Sequence, residues 1–342
     1  MTLDEVKQRL KVFDKYTFEE DTHTYYCNGV KVGIGVTSLI GLYANKFDEQ
    51  SAAEMVAQKQ NKEVIKILEE WHYKRDFSCE KGTTIHEYTQ SLFSGEEWHL
   101  RPFDNSKEYL ETVEKIKHHS LNYYNDYKDR YIHIKDELLI GVEWADISSA
   151  IDHLFYDKVD KVVVIVDYKT NSYMDGYYDN PCKKVYKKYM MIPFQDTLDN
   201  SYEHYKIQLS IYKYILQELI GIPVLRTEIV YLTENKDNYE VIQIPYEKEK
   251  AELMLELRRE RKMGKCIPVL IIGHSGSGKS ASLRNLAKED YSLVNPLAKR
   301  LPFKGGQTGL ESCDYELIKK FIQETPKKII VIDDSNYLLT IE

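Results

Sequence analysis

The run Val162-Val163-Val164-Ile165-Val166 constrains this chain more than any other stretch, because unbroken β-branched apolar residues favour a strand covered on both faces. Charge then follows it, as Asp167, Tyr168 and Lys169. Alternation along a strand sends Asp167 and Lys169 to one face and Tyr168 to the other, so a carboxylate and an ammonium project together from the end of a buried strand. Upstream, AIDHLF carries Asp152, and DKVDK at 157–161 reads as a turn. Antiparallel pairing across that turn brings Asp152 level with Asp167 to within about one residue.

Opposed carboxylates repel unless positive charge lies between them. A divalent cation is the simplest source of that charge: hard ions such as Mg²⁺ take oxygen ligands and keep several waters, so two aspartates and a carbonyl suffice from the protein. Lys169 would then hold or polarise a water and offset charge on an attacked phosphate. The alternative is an ordinary ion pair between Lys169 and one aspartate, since Asp-x-Lys alone occurs readily by chance.

The rest of the chain supplies context. At 342 residues two domains are expected, and 42% hydrophobic with 30% charged residues fits a soluble protein. No apolar run approaches the roughly 18 residues of a membrane span, and the charged first ten residues do not read as a signal peptide. Five scattered cysteines point to a reducing cytoplasm. The net charge of −8 does not advertise a nucleic-acid binder, although CKKVYKK, with Lys183, Lys184, Lys187 and Lys188, is either a solvated loop or a local phosphate contact. The 28 tyrosines have no functional reading.

Asn28-Gly29 within 14–37 marks a hairpin. Helical spacing covers 47–71, a short helix follows Gly82, and another runs over 106–127. Strands are expected in YIHIKDELLI, ISSAIDHLFY and VVVIVDYKT, a small meander. Residues 171–204 read as a long loop. A helix at 205–219, two strands in RTEIVYLTE and YEVIQIPY, and a charged helix at 247–262 complete this half. On the 205–219 helix, Gln208 and Tyr212 head an otherwise apolar stripe with Ile211, Ile215 and Leu219.

The order Gly82-x-x-x-His86, Ile151-Asp152, Asp167-Tyr168-Lys169-Thr170 and Gln208-Leu-x-x-Tyr212 resembles the RecB-like branch of the PD-(D/E)XK nuclease superfamily over residues 14–260. VTSLI at 36–40 and QLSIYKYIL at 208–216 look like the versions in phage-encoded members. The resemblance implies an α/β fold, a restriction-endonuclease-like mixed sheet flanked by helices, in a nuclease domain at 1–260. It also implies a metal-dependent DNA nuclease, either exonuclease or endonuclease, acting on DNA in recombination, repair or replication. Carried over by motif, His86, Asp152, Asp167 and the Tyr168 carbonyl would hold Mg²⁺ or Mn²⁺. Lys169 would be the catalytic lysine, with Gln208 and Tyr212 supporting the site or contacting DNA. Glu137 stands where many relatives have a glutamate ahead of the Ile-Asp strand. Only Cys266 and Cys313 follow Tyr212, so no iron–sulfur cluster is expected.

Composition shifts at Gly264, opening a second segment at 261–342. GHSGSGKS, with Gly273, Ser275, Gly276, Ser277, Gly278, Lys279 and Ser280, matches the Walker A pattern between an apolar run and a helix-like stretch. Lys279 would reach the β and γ phosphates of ATP and Ser280 would hold Mg²⁺, while KKIIVIDDSN looks like Walker B with Asp333 on the metal. With PFKGG at 302–306, this half resembles phage AAA or RecA-like ATP-binding proteins. The chain ends soon after Walker B, so this partial P-loop module is expected to be either a truncated product or completed by another polypeptide. ATP binding is expected, and independent hydrolysis is not. A second reading is an ATP-binding DNA-handling protein whose nuclease fold mainly binds DNA.

Overall fold

Val163, Val164, Ile165 and Val166 are wholly buried, as a doubly covered strand requires. The computed structural model describes residues 1–100, 106–178, 188–262, 291–295, 309–312, 314–324 and 329–332. The Walker A residues 273–280 and Asp333 lie outside the described residues, as do Lys183, Lys184 and Lys187. The chain divides into two compact units, Met1–Arg259 and Glu260–Glu342. No helix among the described residues is long and apolar enough to cross a membrane.

The first unit begins with α1 (Leu3–Leu10) and the small antiparallel sheet β1 (Tyr16–Glu19), β2 (Thr24–Cys27) and β3 (Val30–Lys31). Asn28 and Gly29 turn β2 into β3 with positive φ at both positions, as the sequence pair leads one to expect. Strand β4 (Ile34–Gly35) leads into α2 (Val36–Gly41), α3 (Glu49–Gln60), α4 (Val64–Ser94) and α5 (Lys107–Tyr127). Ser106 caps α5, accepting a hydrogen bond from the Tyr109 N–H at 3.2 Å.

The helices depart from the sequence reading in two places. The stretch 47–71 is broken where Asn61 adopts φ 52° and ends α3. Gly82, read as preceding a short helix, instead lies inside the 31-residue α4. A Cβ at Gly82 would stand 3.3 Å from the Thr170 hydroxyl, so the glycine lets α4 approach the end of the charged strand.

The meander follows as expected: β5 (Tyr131–Val142), β6 (Ile147–Asp157) and β7 (Val162–Lys169), joined antiparallel. Next come α6 (Ser201–Tyr214), which continues as a wide turn over Ile215–Leu219, then β8 (Val224–Tyr231), β9 (Glu240–Ile244) and α7 (Lys248–Lys262). Asn200 caps α6 a turn earlier than the apolar pattern indicates, accepting from the Glu203 N–H at 2.9 Å. The sheet runs β4-β6-β7-β8-β9, with β5 on the other edge of β6. It is mixed, since β4 and β6 are parallel, as are β7 and β8. Val164, Val166 and Tyr168 face Ile85 of α4 and Tyr109, Val113, Ile116 and Tyr123 of α5, forming a core on one side. Alternation sends Asp167 and Lys169 to the other side, where Tyr205 of α6 lies 4.8 Å from the Lys169 ammonium. The fold is thus α/β, a mixed sheet flanked by helices. In the second unit, β10 (Tyr291–Val294) pairs parallel with β11 (Ile329–Ile332), and α8 (Tyr315–Glu324) lies between them in sequence.

The β6–β7 turn is locked by a buried carboxylate. Asp157, fully buried, accepts from the Val159 and Asp160 N–H groups at 2.9 and 3.2 Å. It also accepts from Arg130 Nε at 2.8 Å and Arg226 at 2.9 Å. Deleting the carboxylate removes all four of these hydrogen bonds, two of them to guanidinium groups that keep Asp160 and Glu228 as partners, at a cost of about 3 kcal/mol. Asp157→Ala is therefore expected to lower urea-unfolding stability by about that much; a loss within error of zero would show that the turn does not depend on this carboxylate.

Candidate active site

Strand β6 has two neighbours on one edge, β7 along its C-terminal half and β4 at its start. The pairing with β7 runs from Asp157↔Val162 to His153↔Val166 and then stops. One step further in that register Asp152 stands level with Asp167, as expected from the sequence. Here the strands part. The Tyr168 N–H, freed from strand pairing, donates to Asp152 Oδ2 at 2.8 Å. On the other edge Asp136 lies opposite His153 and Leu138 opposite Ile151, so Glu137 falls level with Asp152. Three acids thus stand abreast on adjacent strands, at the notch where β6 and β7 separate.

Asp167 is buried and neither of its oxygens accepts a hydrogen bond of acceptable geometry. Lys169, two residues on in the same strand, forms an ion pair with Oδ2. Burial, opposed by Lys169 and reinforced by Asp152, pushes the Asp167 carboxyl up to about 6. Burial also raises Asp152, against the pull of Lys169 and the Tyr168 N–H. Glu137 rises by burial first and repulsion from Asp152 second, although solvent still reaches its outer side. The opposite holds for Lys169: burial works against its charge, but Asp167 and Asp152 outweigh that and hold it protonated. Three raised acids around one lysine leave the notch short of positive charge.

His86, from α4, completes the near side. Its Nδ1 lies 3.5 Å from Asp152 Oδ2, and the Tyr168 main chain is a hydrogen-bond partner of the ring. Burial, then Lys169, lowers its pKa to about 4, so the imidazole is neutral at pH 7 and has a lone pair to offer. Gln208 and Tyr212 sit on α6, one turn apart. Gln208 Nε2 donates to the Tyr212 hydroxyl at 2.8 Å, and that hydroxyl bonds Ser149 of β6 at 2.8 Å. Tyr212 feels the charge of Asp167, but the hydrogen bond Gln208 makes is to Tyr212 rather than to an acid. The structure therefore gathers His86, Asp152, Asp167 and Lys169 directly, and brings Gln208 and Tyr212 in as a brace on β6.

Two further groups belong to the notch. Gln90, one turn beyond His86, bridges Glu137 Oε1 at 2.8 Å and the Asp152 carbonyl at 2.9 Å; the His86-x-x-x-Gln90 spacing was its signal. Tyr205, three residues before Gln208, puts its ring over Lys169. The donor set suits a divalent cation: oxygens of Asp152, Glu137 and the buried Asp167 carboxylate, whose Oδ2 is paired with Lys169, together with a neutral imidazole.

No family model matches the chain, and no curated protein matches it. Among solved structures, a candidate exonuclease from Eubacterium rectale is 16% identical and covers 57% of this chain and 77% of its own, with a TM-score of 0.32. The structure of SSO0001 is 12% identical, covering 78% and 87%, with a TM-score of 0.26. Likenesses at these scores bear on neither the activity nor the details of the site.

The electrostatics give a measurable sign. Folding lifts the Asp167 carboxyl from 3.8 to about 6, so its contribution to stability is full below 3.8 and is lost as pH rises through about 6. In chelator-treated protein, Asp167→Asn is expected to be more stable than wild type near pH 8, by on the order of 2 kcal/mol. The gap should close toward pH 4 in thermal unfolding. A variant less stable than wild type near pH 8 would mean that Lys169 already compensates the buried carboxylate.

Proposed function

We propose that this chain is a divalent-metal-dependent DNA nuclease of the RecB-like PD-(D/E)XK type, with residues 1–260 as nuclease domain and 261–342 as an ATP-binding segment. One observation carries the reading: the buried, hydrogen-bond-poor Asp167 carboxylate stands level with Asp152 and on the same face as Lys169. His86, Asp152, Asp167 and the Tyr168 carbonyl, with Glu137 beside them, would hold Mg²⁺, or Mn²⁺, which an imidazole among the donors also suits. Such an ion supplies Lewis acidity at the phosphate and a nucleophilic water at neutral pH.

The side chains divide the remaining work. Hydrolysis adds water to phosphorus as the bond to the departing sugar oxygen breaks, and negative charge builds on the non-bridging oxygens. Lys169, kept protonated by its two aspartates, donates to that charge and to the incoming water; it is not a general base. Glu137, the most exposed acid of the notch and beside the proposed ligands, is the group placed to accept a proton from the water. Gln90 holds Glu137 and Asp152 to one geometry, while Tyr212 with Gln208 fixes the β6 main chain through Ser149.

The phage-like forms of VTSLI and QLSIYKYIL support a substrate of linear DNA ends met in recombination, repair or replication, inside a host cytoplasm. GHSGSGKS supports ATP binding by the second segment. The same motif favours the second reading, an ATP-dependent DNA handler whose nuclease fold serves for binding.

Incubating purified protein with linear, circular and end-blocked DNA plus Mg²⁺ or Mn²⁺ tests the proposal. An exonuclease degrades the linear form and spares the other two. Lys169→Ala and Asp152→Ala are expected to lose cleavage by about 10²-fold or more, and Lys279→Ala to keep it. Undiminished cleavage in Lys169→Ala, or cleavage lost in Lys279→Ala, overturns the assignment in favour of contamination or of the second reading.

A further inference from the structure

Behind the acids, on the opposite face of the same strands, lies a second cluster that the nuclease reading does not use. His133 Nδ1 and His153 Nε2 are 2.9 Å apart, and Asp136 Oδ1 is 3.5 Å from the first and 3.3 Å from the second. His153 is fully buried, and Asp136 Oδ1 is buried without accepting a hydrogen bond. In an unbroken strand, residues three apart point to opposite faces. The register of β5 slips between His133 and Lys135, and that bulge puts His133 and Asp136 on one face.

We propose that His133, Asp136 and His153 form a structural site for a borderline transition-metal ion, Zn²⁺ in preference to Mg²⁺. Two imidazole nitrogens and one carboxylate oxygen are zinc donors, whereas Mg²⁺ demands an oxygen shell. With metal–ligand bonds of about 2.0–2.1 Å, tetrahedral ligands stand about 3.3 Å apart. The Asp136 separations already match that edge, and the two imidazoles need only part by a few tenths of an ångström. The other nitrogen of His153, Nδ1, lies 2.9 Å from the Tyr168 hydroxyl. When Nδ1–H donates to that oxygen, Nε2 is left as a lone pair aimed at the cluster, the outer partner a metal-bound imidazole requires. A fourth position falls to water or to Glu96, which follows α4 and acts electrostatically on both His133 and Asp136. Lys135 and Lys7 also face His133, and they oppose a cation there.

The site is independent of the catalytic assignment, because its donors face away from Asp152 and Asp167. The full-length chain, stripped with chelator, loaded with Zn²⁺ and desalted, is expected to retain one zinc per chain. Asp152→Asn/Asp167→Asn should retain it too, and His133→Ala/Asp136→Asn should lose it. Tyr168→Phe, which deletes only the hydroxyl, should fold and hold zinc about tenfold more weakly. The inference is overturned by substoichiometric zinc in wild type, by unchanged zinc in the His133→Ala/Asp136→Asn variant, or by zinc lost with the Asp152→Asn/Asp167→Asn pair. Should the double variant not fold, unaltered zinc affinity in Tyr168→Phe overturns it equally.

Discussion

The pairing of β6 with β7, from Asp157↔Val162 to His153↔Val166, is the constraint on which the site depends. Because side chains alternate with period two, a slip of one residue would move Asp152 to the helix α4–α5 face and drive His153 into the notch. Apolar patterning alone resists this only partly, since valine and isoleucine fill both faces of β7. Asp157 supplies the specificity that the valine run lacks: it ties the turn to two arginines, one before β5 and one in β8. A buried charge of this kind adds little net stability, but a slipped register would leave it unpaired.

What the register builds is an electrostatic deficit. Glu137, Asp152 and Asp167 stand level, and one protonated lysine faces them. Such an arrangement lowers the stability of a metal-free fold, and a sequence selected for stability alone would not retain it. The deficit is concentrated at the point where β6 and β7 part and a backbone N–H is free to bond a side chain. Strand separation, buried acid and lone-pair imidazole therefore belong to one feature rather than three.

Much of this was legible in the sequence because it rests on period and spacing. The β-branched run, the turn at 157–161 and the Asp167-x-Lys169 alternation fixed the strands, the register and the shared face. Gln208 and Tyr212 were visible as polar residues on an apolar stripe, but not their bond to Ser149, which depends on how α6 docks. Gly82 misled because a glycine in a helix pattern reads as a break, whereas here it makes room for Thr170. The tyrosines, without meaning in a count, prove to be core: Tyr109, Tyr123, Tyr131 and Tyr168 fill the layer between the sheet and α4–α5. The β5 bulge was hidden, since His133 and Asp136 at a spacing of three point apart in any regular strand.

That bulge also bears on the acids. Glu137 holds φ at 41°, a left-handed conformation unusual for a non-glycine residue, directly after Asp136. Each acid of the notch is chain-adjacent to a member of the rear cluster or to its partner: Glu137 to Asp136, Asp152 to His153, and Asp167 to Tyr168, whose hydroxyl bonds His153. The two clusters share a backbone, so whatever fixes the rear side chains restricts the φ and ψ that aim the front ones. A sheet carries such coupling across its thickness without any moving part, because adjacent residues must take opposite faces. Strain at Glu137 is then held by contacts on both sides, Gln90 in front and the imidazole–carboxylate cluster behind, and the acids keep their spacing although their charges oppose it.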